Sequence, residues 1–120
     1  MYSYNEVETL LSNSAKSILK ESINYEPFAA EATATITSYT NYDADKLKPF
    51  CKMAFVYIIE NLVANRLNTL SAEFLDRVKS NFTNAFTLLD RISNNIYNAD
   101  NVNNQVSGIG YIESDYWFFL

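Results

Sequence analysis

Apolar residues recur along this chain at steps of three and four, and the interruptions in that rhythm divide it into four helical stretches and a tail. Ser3 and Glu6 form an S-x-x-E capping box, in which each side chain satisfies a free amide at a helix start. Val7, Leu10, Leu11, Ala15, Ile18 and Leu19 follow at helical spacing and predict a first helix over about 4–22. Pro27 suits the first turn of a second helix, where its missing amide would go unbonded in any case. Phe28, Ala32, Ile36 and Tyr39 carry that helix over about 27–40. The β-branched run Thr33–Thr40 argues against it, but the alternation needed for a strand is poor.

The third stretch has the clearest pattern. Asn41–Asp45 reads as a loop ending in an N-cap. Leu47, Phe50, Cys51, Ala54, Phe55, Ile58, Ile59, Leu62, Val63 and Leu67 then predict a helix over about 46–67, with Pro49 in its first turn. Val56 and Tyr57 widen the stripe beyond one face, as in a central helix packed on both flanks. After Asn68–Ser71, with Ser71 as N-cap, a fourth helix is predicted over about 72–96. Its apolar face is Phe74, Leu75, Val78, Phe82, Ala85, Phe86, Leu89, Ile92 and Ile96, and its polar face holds Glu73, Asp76, Arg77, Lys79, Asp90 and Arg91. The short link implies an antiparallel hairpin of the third and fourth helices.

Past Tyr97 the periodicity stops. Asn98–Gly110 is rich in asparagine, holds both glycines of the chain and reads as a linker. The expected organisation is therefore a small four-helix bundle, all-α, over residues 1–97, with an extended C-terminal arm over 98–120. No repeat at solenoid spacing is present.

Composition agrees with this pattern. The chain has 120 residues, 48% of them apolar, enough for one domain with a real core. Two glycines and two prolines are too few for a β-rich fold of this size. The formal net charge is −5 and the nine basic residues are scattered along the sequence, so no cluster of cations is available to face phosphates. The heavy use of Asn, Tyr and Phe fits an AT-rich genome. The one cysteine, Cys51, cannot form an intrachain disulfide and sits in the apolar stripe as a small hydrophobe. Met1–Tyr4 leads directly into a polar helix start, which is unlike a signal peptide. The apolar run Phe55–Ile59 is far shorter than the ~20 residues a membrane span needs. The chain is read as cytosolic where it is made, with no membrane contact.

Candidate chemistry is sparse. Histidine is absent, which removes the commonest general base and transition-metal ligand. A zinc site of the usual kind is excluded with it. No Gly-rich phosphate loop or G-x-S-x-G elbow occurs. Asp43 and Asp45 have the spacing of a calcium loop without its glycine or its later glutamate. The Glu6–Glu8 and Glu113–Asp115 pairs fall on solvated elements with no cleft to separate their pKa values. Glu60 lies off the main stripe of the third helix and reads as a surface residue. The expectation is a non-enzyme with no cofactor and no metal.

One feature departs from ordinary globular design. Tyr111, Ile112, Tyr116, Trp117, Phe118, Phe119 and Leu120 cluster after the linker, where polar, frayed sequence is usual. They could fold back over their own core. The reading favoured by linker length is an arm that docks on a neighbouring subunit or partner, since aromatic residues make good interface anchors.

The chain also resembles the small head–tail connector proteins (adaptor or head-completion proteins) of tailed bacteriophages, including Mu-like relatives. The likeness rests on the "EVETLL" opening, the second helix "AAEATATITSYT" with Ile36 and Tyr39 as an I-x-x-Y pair, and the Pro-started "LKPFCKMAFVYIIENLVANRL". It continues in "FTNAFTLLDRISNNIYN", where Ala85, Leu89 and Ile92 form A-x-x-x-L-x-x-I. It covers about residues 4–97, and most of its positions are packing positions. The resemblance implies a virion protein at the head–tail interface, made in the host cytoplasm. It implies a homo-oligomeric ring of about twelve sister copies below the portal protein, closed by head-to-tail contacts. Such a ring extends the DNA channel, lets DNA pass without specific binding, and docks downstream neck and tail proteins through terminal segments. A second class is a small viral helical module that binds a host factor, as Bcl-2-like inhibitors do. That bundle needs more helices than these and a central Gly-Arg signature absent here. A small enzyme or ligand carrier is the third.

Overall fold

The computed structural model describes residues 1–19, 22–66 and 72–104, and these are all-α, with no strand among them. In chain order the helices are α1 (Tyr4–Val7), α2 (Asn13–Leu19), α3 (Ser22–Thr40), α4 (Ala44–Leu47), α5 (Lys52–Ala64) and α6 (Ala72–Asn104). A 3-10 turn over Glu8–Leu10 follows α1. All four expected stretches are helical, but their boundaries differ in ways that have physical causes.

The first stretch is not one helix over 4–22. The capping box forms as expected: Glu6 N–H donates to Ser3 Oγ at 3.4 Å and Ser3 N–H to Glu6 Oε1 at 3.0 Å. After the 3-10 turn, Leu11 turns extended (φ −79°, ψ 148°) and the chain restarts as α2. The apolar stripe survives the break, because Val7, Leu11, Ala15 and Leu19 are all buried. Leu10, expected in that stripe, is displaced by the break and is 40% exposed.

The second helix begins at Ser22, so Pro27 lies inside it. A proline there removes one backbone hydrogen bond and crowds the carbonyl four residues back. Two features offset that cost. Tyr25, ahead of the proline, is buried, and its hydroxyl donates to the Tyr2 carbonyl at 2.7 Å. Glu26 and Pro27 themselves face solvent. The Thr-rich second half stays helical because its hydroxyls bond back into the helix. Thr35 Oγ1 donates to Glu31 O at 2.9 Å, Thr37 Oγ1 to Thr33 O at 3.0 Å and Thr40 Oγ1 to Ile36 O at 2.8 Å. Asn41, with φ 62°, ends α3 in the left-handed region that Asn tolerates better than most residues.

The third stretch also divides. Pro49 falls in a turn between α4 and α5 and not in the first turn of one helix. Cys51 follows as the residue capping α5 and is fully buried, as expected for a small hydrophobe. From there α5 is the central helix. Ala54, Phe55, Val56, Ile58, Ile59, Val63 and Ala64 are all buried, spanning more than one side. It packs on α2, α3 and α6 and joins them in one hydrophobic cluster.

The fourth helix extends well past residue 96. α6 has 33 residues, which at about 1.5 Å each is about 50 Å of helix. That accounts for most of the 56 Å long dimension of the molecule. Asn98–Asn104, expected as the start of a linker, is the last part of this helix. Ile96 is buried, and Tyr97 next to it is 60% exposed. α5 and α6 form the expected antiparallel pair. Lys46, ahead of α5, bonds Asp100 near the end of α6, whereas Tyr57 and Glu60 share a groove with Phe74 and Val78 near its start.

Candidate interaction surfaces

The expected interface residues Tyr111, Ile112, Tyr116, Trp117, Phe118, Phe119 and Leu120 lie outside the described residues, as do the expected N-cap Ser71 and the link before it. Two surfaces of the described bundle remain as candidates.

The first is built on the break in the N-terminal stretch. Ser12 acts as the cap of α2: its carbonyl accepts from Lys16 N at 2.9 Å, and its Oγ accepts from Ala15 N at 3.2 Å. The carboxylate of Glu60, from the middle of α5, then caps the cap. Glu60 Oε1 accepts Ser12 N–H at 2.6 Å and Oε2 accepts Ser12 Oγ–H at 2.8 Å. In an ordinary capping box that carboxylate sits three residues on; here it is supplied by another helix. Glu60 is therefore half-buried and tied into the bundle, a correction to its reading as a plain surface residue. Around it opens a groove of about 390 Å³ walled by Leu10, Tyr57, Phe74 and Val78, with Arg77 and Asn81 on its rim. The Arg77 guanidinium lies 5.4 Å from the centre of the Phe74 ring. Both carboxylate oxygens of Glu60 already accept hydrogen bonds, so the groove suits an apolar side chain better than it suits acid–base work.

The second surface is the corner where α4 turns into α5. Lys46, Lys48 and Lys52 fall there within seven residues of sequence, the closest three basic residues of the chain. Lys46 Nζ bonds Asp100 Oδ2 at 2.7 Å, and Asp100 holds the Lys46 amine above its ordinary value. Lys48 lies 3.7 Å from Glu6 Oε2. Lys48 and Lys52 both stand over the Tyr2 ring, at 5.9 and 5.8 Å from its centre. Tyr2, Glu6, Asp45, Lys48, Pro49 and Lys52 line a shallow depression of about 550 Å³. Beside it Phe50 and Met53 are each 39% exposed.

Tyr2 is the hub of this corner. It is buried, its ring meets Phe55 edge-on at 5.0 Å, and its hydroxyl donates to the Lys48 carbonyl. Burial pushes its phenol up to about 12. Glu6 has its carboxyl held below the usual range, mainly by the Ser3 amide it accepts.

The remaining candidates resolve into structural roles. Asp43 occupies the N-cap position of α4 and Asp45 its first turn. Among the described residues no group of His, Cys, Asp or Glu comes together in a way that could hold a metal ion. Burial raises the Cys51 thiol to about 11, so it is protonated and shielded at neutral pH. No described helix is long and apolar enough to cross a membrane. The Glu60 cap and the lysine corner were both missed by sequence reasoning. The cap had one local signal, the Ser12-Asn13-Ser14 run, which favours a helix start over a helix interior. No protein-family model matches this chain, and neither a curated protein nor a solved structure matches it.

Proposed function

We propose that this chain is a structural assembly protein of the head–tail adaptor kind, a ring-forming virion component that docks below a portal and receives neck or tail proteins. The observation that supports this reading is the course of α6. It runs two turns past Ile96 to Asn104, where the sequence pattern predicts a linker, and the aromatic segment follows it in the chain. A helix of this length, followed in sequence by Tyr111-Ile112 and Tyr116–Leu120, suits a protein that reaches for a neighbour. The acidic balance of −5 suits a channel wall that DNA passes without sticking. The chain is proposed to act without catalysis, since among the described residues Glu60 and Asp43 stand at helix starts and Cys51 is buried in the core.

The direct test is assembly on a portal protein of a tailed bacteriophage, read by negative-stain microscopy. Rings of this chain below the portal are expected. A chain that stays monomeric in the presence of that portal contradicts the adaptor reading.

A further inference from the structure

We propose that in the free chain the acidic aromatic segment Glu113–Phe119 docks on the chain's own lysine corner, against Lys48, Pro49, Lys52 and Met53. This assigns a resting site to the arm and does not depend on the adaptor reading.

The corner and the segment are chemically complementary. Residues 111–120 hold two carboxylates, Glu113 and Asp115, five aromatic rings and no cation. The corner offers exposed ammonium groups beside exposed apolar surface. Among the described residues Lys52 makes no ion pair with a carboxylate, and the Lys48–Glu6 pair is long at 3.7 Å. Met53, 39% exposed next to them, is the flexible, polarisable kind of side chain that adapts to an aromatic partner. The groove at Glu60 fits the segment less well. Its carboxylate is turned to Ser12, and Arg77 is the single cation among the described residues that line it.

Position favours the same chain over a second copy. The Lys46–Asp100 bond, 2.7 Å long, pins the last turns of α6 beside α4, and the corner begins two residues after Lys46. From Asp100 to Asn104 the helix advances only about 6 Å. An extended chain covers roughly 3.3 Å per residue, so the nine residues to Glu113 reach up to about 30 Å. The end of α6 lies on the side of the proposed site, and the chain beyond it is long enough to reach it. The Glu60 groove lies near the other end of α6, about 35–40 Å of helix away by rise per residue. A docked segment keeps four aromatic side chains out of water until a partner competes for them.

Trp117 is the only tryptophan, so its emission in the intact protein reads the docking directly. The expected result is a blue-shifted emission, protected from acrylamide, that does not change on dilution. Lys48→Glu with Lys52→Glu should shift it to the red and open it to the quencher, with far-UV circular dichroism unchanged. Lys52→Gln, which only removes one exposed charge, should do so in part, and Lys79→Glu on α6 should have no effect. Three results overturn the proposal. They are a wild-type Trp117 that already emits as in free solution, an emission unmoved by the corner variants, and a blue shift lost on dilution, which would place the segment on a second copy.

Discussion

Glu60 on α5 holds the backbone N–H and the hydroxyl of Ser12, 48 residues earlier, at 2.6 and 2.8 Å. One carboxylate thereby fixes the point where the N-terminal stretch stops and restarts as α2. Charge-assisted bonds of this kind are worth more than neutral ones, and removing one partner leaves the other unsatisfied. Glu60→Ala is expected to lower stability by about 1–3 kcal/mol. Glu60→Gln, which keeps an acceptor, should lose less. Urea denaturation of the two variants checks the ranking, and equal losses would mean that a neutral acceptor recovers none of the bond.

A comparison of two tyrosines separates buried from exposed hydrogen bonds. Tyr25 is buried and its hydroxyl serves the Tyr2 carbonyl. Tyr39 is 45% exposed and donates to Asp90 Oδ1 at 2.8 Å. Tyr25→Phe strands a buried carbonyl and should cost about 1–2 kcal/mol. Tyr39→Phe keeps its edge-on contact with Phe86 and should leave the melting midpoint nearly unchanged.

The alkaline limit of the fold follows from burial. Folding raises the Cys51 thiol from 9.0 to about 11 and the Tyr2 phenol from 10.0 to about 12, and burial raises Tyr25 as well. The folded state thus holds these protons more tightly than the unfolded state. Their contribution is complete below about pH 9 and is lost as pH rises through the folded values. Thermal melts should be flat from neutral pH to about 9 and fall steeply above it. Tyr2→Phe should flatten that fall. At pH 8 Cys51 should resist iodoacetamide in the native protein and react once it is denatured.

Asn41 offers a backbone test. Its φ of 62° lies in the left-handed region, which costs an ordinary L-residue roughly 1–2 kcal/mol. Asn41→Gly should be neutral or slightly stabilising, and Asn41→Val should destabilise by at least about 1 kcal/mol. Equal melting temperatures for the two would show that α3 does not depend on this turn.

Much of the helical architecture is legible from spacing alone, because burial follows spacing. The stripe from Ala54 to Val63 predicts α5 and its central position, and both are found. The breaks are not legible for the same reason. Val7, Leu11, Ala15 and Leu19 keep a step of four across the interruption at Leu11–Ser12, so periodicity cannot register it. What makes the break stable is Glu60, a long-range partner that no local pattern announces. Pro27 misleads in the other direction: it marks the first turn of a helix in isolation, but the burial of Tyr25 draws the helix start back to Ser22. The lysines of the corner, Lys46, Lys48 and Lys52, fall within seven residues of sequence, but their partners Asp100, Glu6 and Tyr2 come from distant parts of the chain. The aromatic arm stands out in the sequence and lies outside the described residues.

The account rests on this chain acting by assembly through that arm. The most direct measurement is mass photometry of the full chain and of a variant lacking Tyr111–Leu120, each mixed with a tailed-bacteriophage portal protein. The full chain should add a closed ring's mass to the portal, and the truncated chain, with unchanged helical circular dichroism, should add none. A folded truncated chain that loads the portal as well as the full one would contradict the role given to the arm, and a full chain that never loads would contradict assembly itself.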